Sequence, residues 1–360
     1  MKVRNLWLGL VVCVITSCVS LPPPPATSWT VTSSPLPAAT TPPVFVQLDT
    51  TAAMALLEFC QALNQGHPWD EAAIRRMVVS PPYQTLIAHH SRMDAGITTE
   101  ALVELLLALR DGEQFASDSE RLARIYTAYR SACRQVSTLQ VRLDRLADPS
   151  LIKRAAVRAQ EALPPQARVE ATVYFLPDGR SSGYVVDAAI VLDLLQTSNA
   201  SEVESTLAHE LHHIGAASLL PKPCPEPDLG IALEMLGEMV QEGAATYWVD
   251  GWRASPSRAD FTLVEAFLQD ALLGQLDAAE VTHRRAELVQ GWRGPLYQVG
   301  NEMIAALAVA RGDDWVQARL GDPVGLLRAW QEEAGPEFAF NQAIFQLLDE
   351  AEAQGKCSTK

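Results

Sequence analysis

The stretch His209-Glu210-Leu211-His212-His213 constrains the fold of this chain more than any other part of its sequence. His209 and His213 are four positions apart, and an α-helix places such positions on one face, one turn apart. Their imidazoles can then bind one metal ion, and Glu210 can reach a water molecule on that metal. The pattern therefore predicts a buried helix that carries a zinc site.

The surroundings of this pattern fit a metal-bearing helix. The flanking positions are apolar, as a buried helix requires: Leu207, Ala208, Leu211 and Ile214. We expect the helix to cover residues 202–214, with Ser201 as its N-cap and Glu204 as the partner of a capping box. His212 points about 100° away from its neighbour His213, so it is not expected to bind the same metal.

A hydrolytic zinc site usually has three protein ligands and one open position for water. The next predicted helix carries Glu234, Glu238 and Glu242 at intervals of four residues. Glu242 differs from the other two because Gly243-Ala244-Ala245 follows it, and small residues would let this helix pack closely beside the metal helix. Glu238 is the alternative third ligand.

These two segments together resemble the gluzincin metallopeptidases, and also uncharacterised zinc-dependent protease lipoproteins. In gluzincins, the H-E-x-x-H motif is followed after a variable gap by a Glu, often with Gly-x-Ala behind it. Here the gap from His213 to Glu242 is 29 positions, and the resemblance covers roughly residues 168–310. It implies a zincin-like fold, Zn²⁺ bound by His209, His213 and Glu242, and peptide hydrolysis with Glu210 as the general base.

Two parts of such a site are less well defined by the sequence. Some gluzincins carry an Asp four residues after the ligand Glu, which orients a metal-binding His, but Thr246 stands at that position here. A donor for the tetrahedral oxyanion is also needed. Tyr297 is the first candidate, because residues 295–300 resemble a Tyr-x-x-Gly segment of zinc proteases with the same motif pair. Tyr247 and His283 are alternatives, and each of the three could instead be a packed side chain.

The first 18 residues have the features of a bacterial lipoprotein signal. Lys2 and Arg4 precede an apolar run, residues 6–15, that is too short to span a membrane. Ile15-Thr16-Ser17-Cys18 resembles a lipobox, so Cys18 is predicted to carry the lipid that anchors the mature protein. The alternative is an ordinary cleaved signal with a chance Cys. Either signal predicts export, and the lipobox predicts a lipid-anchored, extracytoplasmic protein of the bacterial cell envelope.

Composition and residue patterns divide the chain into a signal peptide (1–18), a disordered tether rich in Pro, Ser and Thr (19–47), a helical region (48–165) and a zincin-like region (166–360). The tether composition cannot bury a core. Strand-like sequence is confined to residues 169–192, where turn residues at 177–182 indicate a hairpin or short meander. The predicted fold class is therefore mainly α with a small antiparallel β segment.

The charge of the chain limits its partners. A formal net charge of −15 argues against nucleic-acid binding, which normally requires a basic face. The expected partners are a peptide or protein substrate and a membrane, reached through the lipid anchor. Two other functions stay open: a catalytically inactive or scaffolding envelope lipoprotein, and a zinc hydrolase that acts on a non-peptide bond.

Cysteines and one histidine pair are the other chemically notable residues. After the lipobox, four cysteines remain in an exported chain, and they allow three pairings between which the sequence does not choose: Cys60, Cys133, Cys224 and Cys357. His89 and His90 are adjacent, so on a helix their rings diverge and do not easily bind one metal. We expect them at the surface or partly buried.

Overall fold

The computed structural model describes residues 29–32, 44–197, 199–289 and 293–354. The predicted signal peptide, the lipidation site Cys18 and most of the predicted tether lie outside these residues. Within the described ranges, no helix combines the length and the apolar character needed to cross a membrane.

Helices make up most of the described chain: α1 (Thr51–Asn64), α2 (Glu71–Val78), α3 (Pro81–Ser91), α4 (Thr99–Asp111), α5 (Glu120–Arg134), α6 (Val136–Leu146), α7 (Pro149–Glu161), α8 (Ala200–Ala217), α9 (Pro227–Ala244), α10 (Arg258–Leu272), α11 (Ala278–Val289), α12 (Pro295–Arg311), α13 (Asp313–Gln317), α14 (Pro323–Glu333) and α15 (Gln342–Ala353). A π-helical turn, Ala245–Val249, continues α9. The strands are β1 (Trp29–Thr32), β2 (Val44–Asp49), β3 (Val169–Leu176), β4 (Gly183–Val186) and β5 (Ala189–Asp193). The mainly helical class is therefore confirmed.

The sheet is mixed, and the prediction of a small antiparallel segment is wrong. The strand order is β1-β2-β3-β5-β4. The strands β2, β3 and β5 run parallel, and β1 and β4 pair antiparallel at the two edges. The hairpin turn is Asp187-Ala188 between β4 and β5, with Asp187 at φ 54°, not the turn-rich segment 177–182. Since β5 lies between β3 and β4, segment 177–182 crosses over a strand instead of joining neighbours.

Part of the predicted disordered tether forms strands. β2 alternates buried and exposed side chains, and Val44, Val46 and Leu48 are each at most 2% exposed. Period-two alternation is the pattern of a half-buried strand, and here it prevails over the Pro-rich sequence before it. β1 pairs with β2, so residues 29–32 also belong to the sheet. The predicted boundary between 47 and 48 therefore falls inside a strand.

The sheet separates two hydrophobic cores. Side chains of one face enter a core built with α6–α8 and the C-terminal helices: Val173, Phe175, Ile190 and Leu192. Side chains of the other face enter a core built with α1–α5: Tyr174, Leu176, Tyr184 and Val191. A disulfide between Cys60 and Cys133 joins α1 to α5 within the second core. It is one of the pairs that the sequence left open.

Candidate metal centre

The helix α8 carries the motif, and it is longer than expected. It begins at Ala200, and its N-cap is Asn199, whose side chain accepts a hydrogen bond from the backbone N–H of Glu202 at 3.0 Å. The predicted cap Ser201 therefore lies inside the helix, and Glu204 pairs with Arg154 at 2.6 Å instead of closing a capping box. The apolar neighbours of the motif are buried, so one side of α8 is fixed in the core.

The structure brings His209, His213 and Glu242 together. The Nε2 atoms of His209 and His213 lie 3.3 and 3.2 Å from the same Glu242 oxygen, Oε2. One ligand atom from each residue lies within 4.8 Å of the others. A tetrahedral zinc ion with bonds of about 2.0–2.1 Å would have ligand atoms about 3.3 Å apart. The two imidazoles and one carboxylate therefore fit zinc by donor type and by spacing.

Glycines let the helix of Glu242 approach α12 at backbone distance. A Cβ on Gly243 would overlap the carbonyl of Gly300, and a Cβ on Gly300 would overlap the carbonyl of Met239. The small residue after Glu242 therefore serves a contact with α12, not the expected contact with the metal helix. Tyr297 lies one turn before Gly300, so this contact also brings the start of α12 to the metal ligands.

Asp250 contacts His209 in the way expected of the orienting Asp, which in some gluzincins stands at the position of Thr246. The Nδ1 atom of His209 lies 3.2 Å from the Asp250 carboxylate, which can orient the ring and favour its binding through Nε2. Thr246 is buried and donates its hydroxyl to the Glu242 carbonyl at 2.7 Å. The π-helical turn at Ala245–Val249 widens the end of the helix, a feature that often occurs at functional sites. It brings a carboxylate eight positions after Glu242 to His209.

Charge and burial oppose each other in this cluster. Burial alone would lower the pKa of His209, but its hydrogen bonds with Asp250 and Glu242 raise it well above the ordinary value. Burial alone would raise the pKa of Glu242, but the neighbouring His213 and His209 lower it strongly. The carboxylates therefore stabilise positive charge at the point where the three ligand atoms meet.

Glu210 lies between the three ligands, whose charges act on it, and the edge of the sheet. Its side chain is buried, and that burial raises its pKa against the opposing charges of His213 and His209. A Cβ on Gly183, the first residue of β4, would lie 3.5 Å from the Glu210 Cγ. The edge strand β4 therefore passes directly beside Glu210.

The structure separates the candidate oxyanion donors. The phenol of Tyr297 lies beside the ligand Glu242. The charge of Glu242, burial and a hydrogen bond with Glu242 all raise the pKa of Tyr297 well above its ordinary value. Tyr247 instead lies under the guanidinium of Arg253, 3.5 Å from its ring centre. The side chain of His283 is 74% exposed, on α11.

The other predicted residues lie outside the cluster. Glu238, the alternative ligand, and Glu234 both pair with Arg285. His212 is fully buried, and burial with the nearby His213 lowers its pKa to about 3, so it stays neutral.

Sequence reasoning missed two residues of this site. One is Asp250, and the other is Arg293, whose guanidinium lies 3.8 Å from Asp250 and 4.1 Å from the ring centre of Trp252. Arg293 has φ 61°, a conformation that non-glycine residues rarely adopt. No local sequence pattern indicates either residue. The π-helical turn positions Asp250, and the chain just before α12 positions Arg293.

Residues 74–335, well over half of the chain, match the model of a family described as "Putative zinc dependent peptidase (DUF5700)". The match includes every residue of the metal centre and all of β3–β5. Searches of curated proteins and of solved structures found no match.

Proposed function

The chain belongs to this family of zinc-dependent peptidases, and from that premise we propose a gluzincin-type enzyme that hydrolyses peptide bonds outside the cytoplasm. In this proposal, His209, His213 and Glu242 bind Zn²⁺, and Glu210 is the general base. The observation that carries it is the convergence of two imidazoles and one carboxylate from two separate helices. This is the ligand set of known catalytic zinc sites that keep an open position.

Zinc, when bound, lowers the pKa of water and polarises the substrate carbonyl. The protein supplies the proton transfers and the orientation of the groups. Glu210 accepts a proton from the attacking water and donates it to the leaving amine. Asp250 holds the His209 ring through Nδ1, so that Nε2 faces the other ligand atoms.

The edge strand β4 supports a peptide as the substrate. It pairs with β5 on one side, and its other edge ends the sheet beside Glu210. An extended peptide can add to such an edge through main-chain hydrogen bonds, which would carry its backbone past the base. The packing of α8 against β3, β4 and β5 is consistent with a zincin-like arrangement, in which a sheet edge and the motif helix border one cleft.

The proposal is tested with the mature full-length protein and a mixed peptide library. We expect about one zinc per chain by metal analysis and cleavage of the library. A chelator should remove both, and added Zn²⁺ should restore both. Cleavage that persists after zinc removal would contradict the mechanism. Zinc binding without any peptide cleavage would favour hydrolysis of another kind of bond or a scaffolding role.

Tyr297 is proposed as the oxyanion donor, because its phenol lies beside Glu242. We expect Tyr297→Phe to lower kcat by about 10²- to 10³-fold, the usual effect of removing one such donor, with zinc content unchanged. The matched control is Tyr247→Phe, whose ring packs under Arg253 instead. Equal kcat values for the two variants would exclude the role of Tyr297.

We also propose that Cys18 is lipidated and holds the enzyme at the surface of an envelope membrane. The Cys60–Cys133 disulfide supports an oxidising, extracytoplasmic compartment. Cells that express the protein and are fed labelled palmitate should incorporate the label into it. Absence of the label from the protein would contradict the lipid anchor.

A further inference from the structure

A second polar site lies on the face of the sheet opposite α8. Arg121, near the start of α5, and Arg180, in the crossover segment before β4, both line a cavity of about 660 Å³. The rest of its wall is formed by Met93, Asp94, Gly96, residues 117–120, Leu122 and Arg124. The site is separate from the metal centre, and the proposed mechanism makes no use of it.

A buried pair fixes the position of Arg121. Its Nη1 lies 3.3 Å from Nδ1 of His90, and its Nη2 donates to the sulfur of Met93 at 3.0 Å. Because a guanidinium only donates, Nδ1 of His90 must be the acceptor, and the ring proton is on Nε2. That Nε2–H donates to Asp178. His90 and Asp178 are each 1% exposed, so the expectation of a surface or partly buried His90 is wrong.

The same buried carboxylate also holds the backbone of Arg180. Asp178 accepts hydrogen bonds from the backbone N–H groups of Ser181 at 2.6 Å and Arg180 at 3.3 Å. Gly179 has φ 78°, and a Cβ there would lie 2.9 Å from the Cβ of Ala128 in α5. The crossover segment is therefore packed tightly against α5, and one aspartate holds both His90, the partner of Arg121, and the backbone from which Arg180 projects.

The two guanidinium groups have unused donors. In the described chain, neither Arg121 nor Arg180 forms an ion pair with a carboxylate, and Arg121 donates only to a neutral nitrogen and a sulfur. Burial lowers the pKa of Arg121, and the positive charge of Arg180 lowers it further, while Asp178 and Asp94 offset part of this repulsion. A carboxylate between them would relieve this repulsion and accept the free N–H groups.

Two acidic residues of the cavity wall already have partners within that wall. Asp94 accepts from the backbone of Gly96 and the hydroxyl of Ser119, at 2.9 and 2.5 Å. Glu120 pairs with Arg124 at 3.1 Å. Asp118 is exposed and reduces the positive potential, which favours a small carboxylate over a polyanion.

The cavity lies near the start of the strand that passes the general base. Arg180 is three residues before Gly183, which is the residue beside Glu210. Three residues span at most about 10 Å, and this segment bends, so the backbone of Arg180 lies within that distance of Gly183. A peptide on the edge of β4 would present alternate side chains to the two faces of the sheet. A side chain on the cavity face, about three residues from the scissile bond, can therefore reach both arginines.

We infer that Arg121 and Arg180 form a specificity site for a carboxylate of the peptide substrate, an acidic side chain about three residues from the bond that is cleaved. This inference rests on the proposed peptidase function. Asp178 and His90 are positioning residues in it, because they act only through the two arginines.

The test uses pairs of peptides that differ only in having Glu or Gln at one position. The position is varied from pair to pair on both sides of the cleaved bond. The zinc-loaded full-length protein should prefer Glu at one such position by about 10- to 100-fold in kcat/KM. This is the ratio expected when a charge-assisted hydrogen bond is gained. Arg180→Gln and Arg121→Gln should reduce this ratio to near 1. Arg76→Gln removes an exposed arginine on α2 and should keep the ratio.

Arg180 is exposed, so its variant should fold even if Arg121→Gln disturbs His90. Equal cleavage of the Glu and Gln peptides by the wild type would overturn the inference, as would a preference that survives Arg180→Gln. If the wild type cleaves no peptide, the proposed function fails instead. In that case, fluorescence anisotropy measures the binding of labelled Glu and Gln peptides to the Glu210→Gln protein. The arginine site predicts that the Glu peptide binds more tightly and that Arg180→Gln, added to the same protein, removes this difference.

Discussion

Replacement of Glu210 by glutamine is expected to lower kcat by about 10²- to 10⁴-fold, the usual contribution of a general base. Glutamine has nearly the same shape, so it fits the buried position, but its amide cannot accept the proton of the attacking water. Glu210 is not among the three residues whose ligand atoms converge, so zinc content should stay at the wild-type value. Steady-state kinetics on a cleaved peptide and metal analysis of the same sample measure both quantities.

Glu204→Gln is the matched control for this experiment. Glu204 lies on the same helix, and its carboxylate pairs with Arg154 at 2.6 Å, away from the ligands. The control should retain wild-type kcat. Equal kcat values for Glu210→Gln and the wild type would remove Glu210 as the base. Loss of zinc from Glu210→Gln would instead give it a part in metal binding.

The second large effect is expected at Glu242. We expect Glu242→Ala to weaken zinc binding by at least about 100-fold, because residues that only support a ligand already cost about 10- to 100-fold. The Nε2 atoms of both histidines lie 3.2–3.3 Å from the same Glu242 oxygen, so the substitution removes a ligand atom from the point where the three meet. Competition with a chelator of known zinc affinity measures the change.

Glu238→Ala separates the third ligand from its alternative. Glu238 is one turn earlier on α9 and pairs with Arg285, so its removal should leave zinc affinity within about twofold of wild type, as expected for a partly exposed ion pair. The opposite result, with zinc lost from Glu238→Ala and kept by Glu242→Ala, would reassign the third ligand.

The metal cluster could be predicted from sequence because its rules are local. The four-residue spacing of His209 and His213 fixes their common face on any helix. Glu242 stood out from Glu238 by the small residues after it, although those residues pack against α12. Asp250 could not be predicted, because a π-helical turn changes the spacing on which the expectation at residue 246 depended.

The sheet and the arginine site could not be predicted because they depend on distant partners. The pair β2–β3 joins segments far apart in the chain, with Val44 opposite Val169, and in the pair β3–β5 the order in the sheet differs from the order in the chain. Turn residues at 177–182 indicated a hairpin, but the same composition also suits a crossover packed on α5. His90 can be buried because Asp178, 88 positions later, accepts a hydrogen bond from its ring, and no pattern around His90 indicates that partner.

The sheet also decides how the chain can be divided. β2, residues 44–49, lies directly beside β3 and contributes to the core that holds α8. A fragment that began at residue 166 would keep every proposed zinc ligand, yet residues 169–174 of β3 would lose their parallel partner, and such an open edge invites aggregation. The fold that supports the candidate metal centre therefore needs strands from two separate parts of the chain. We expect a stable recombinant protein to require β1 and β2 together with the region that follows residue 166.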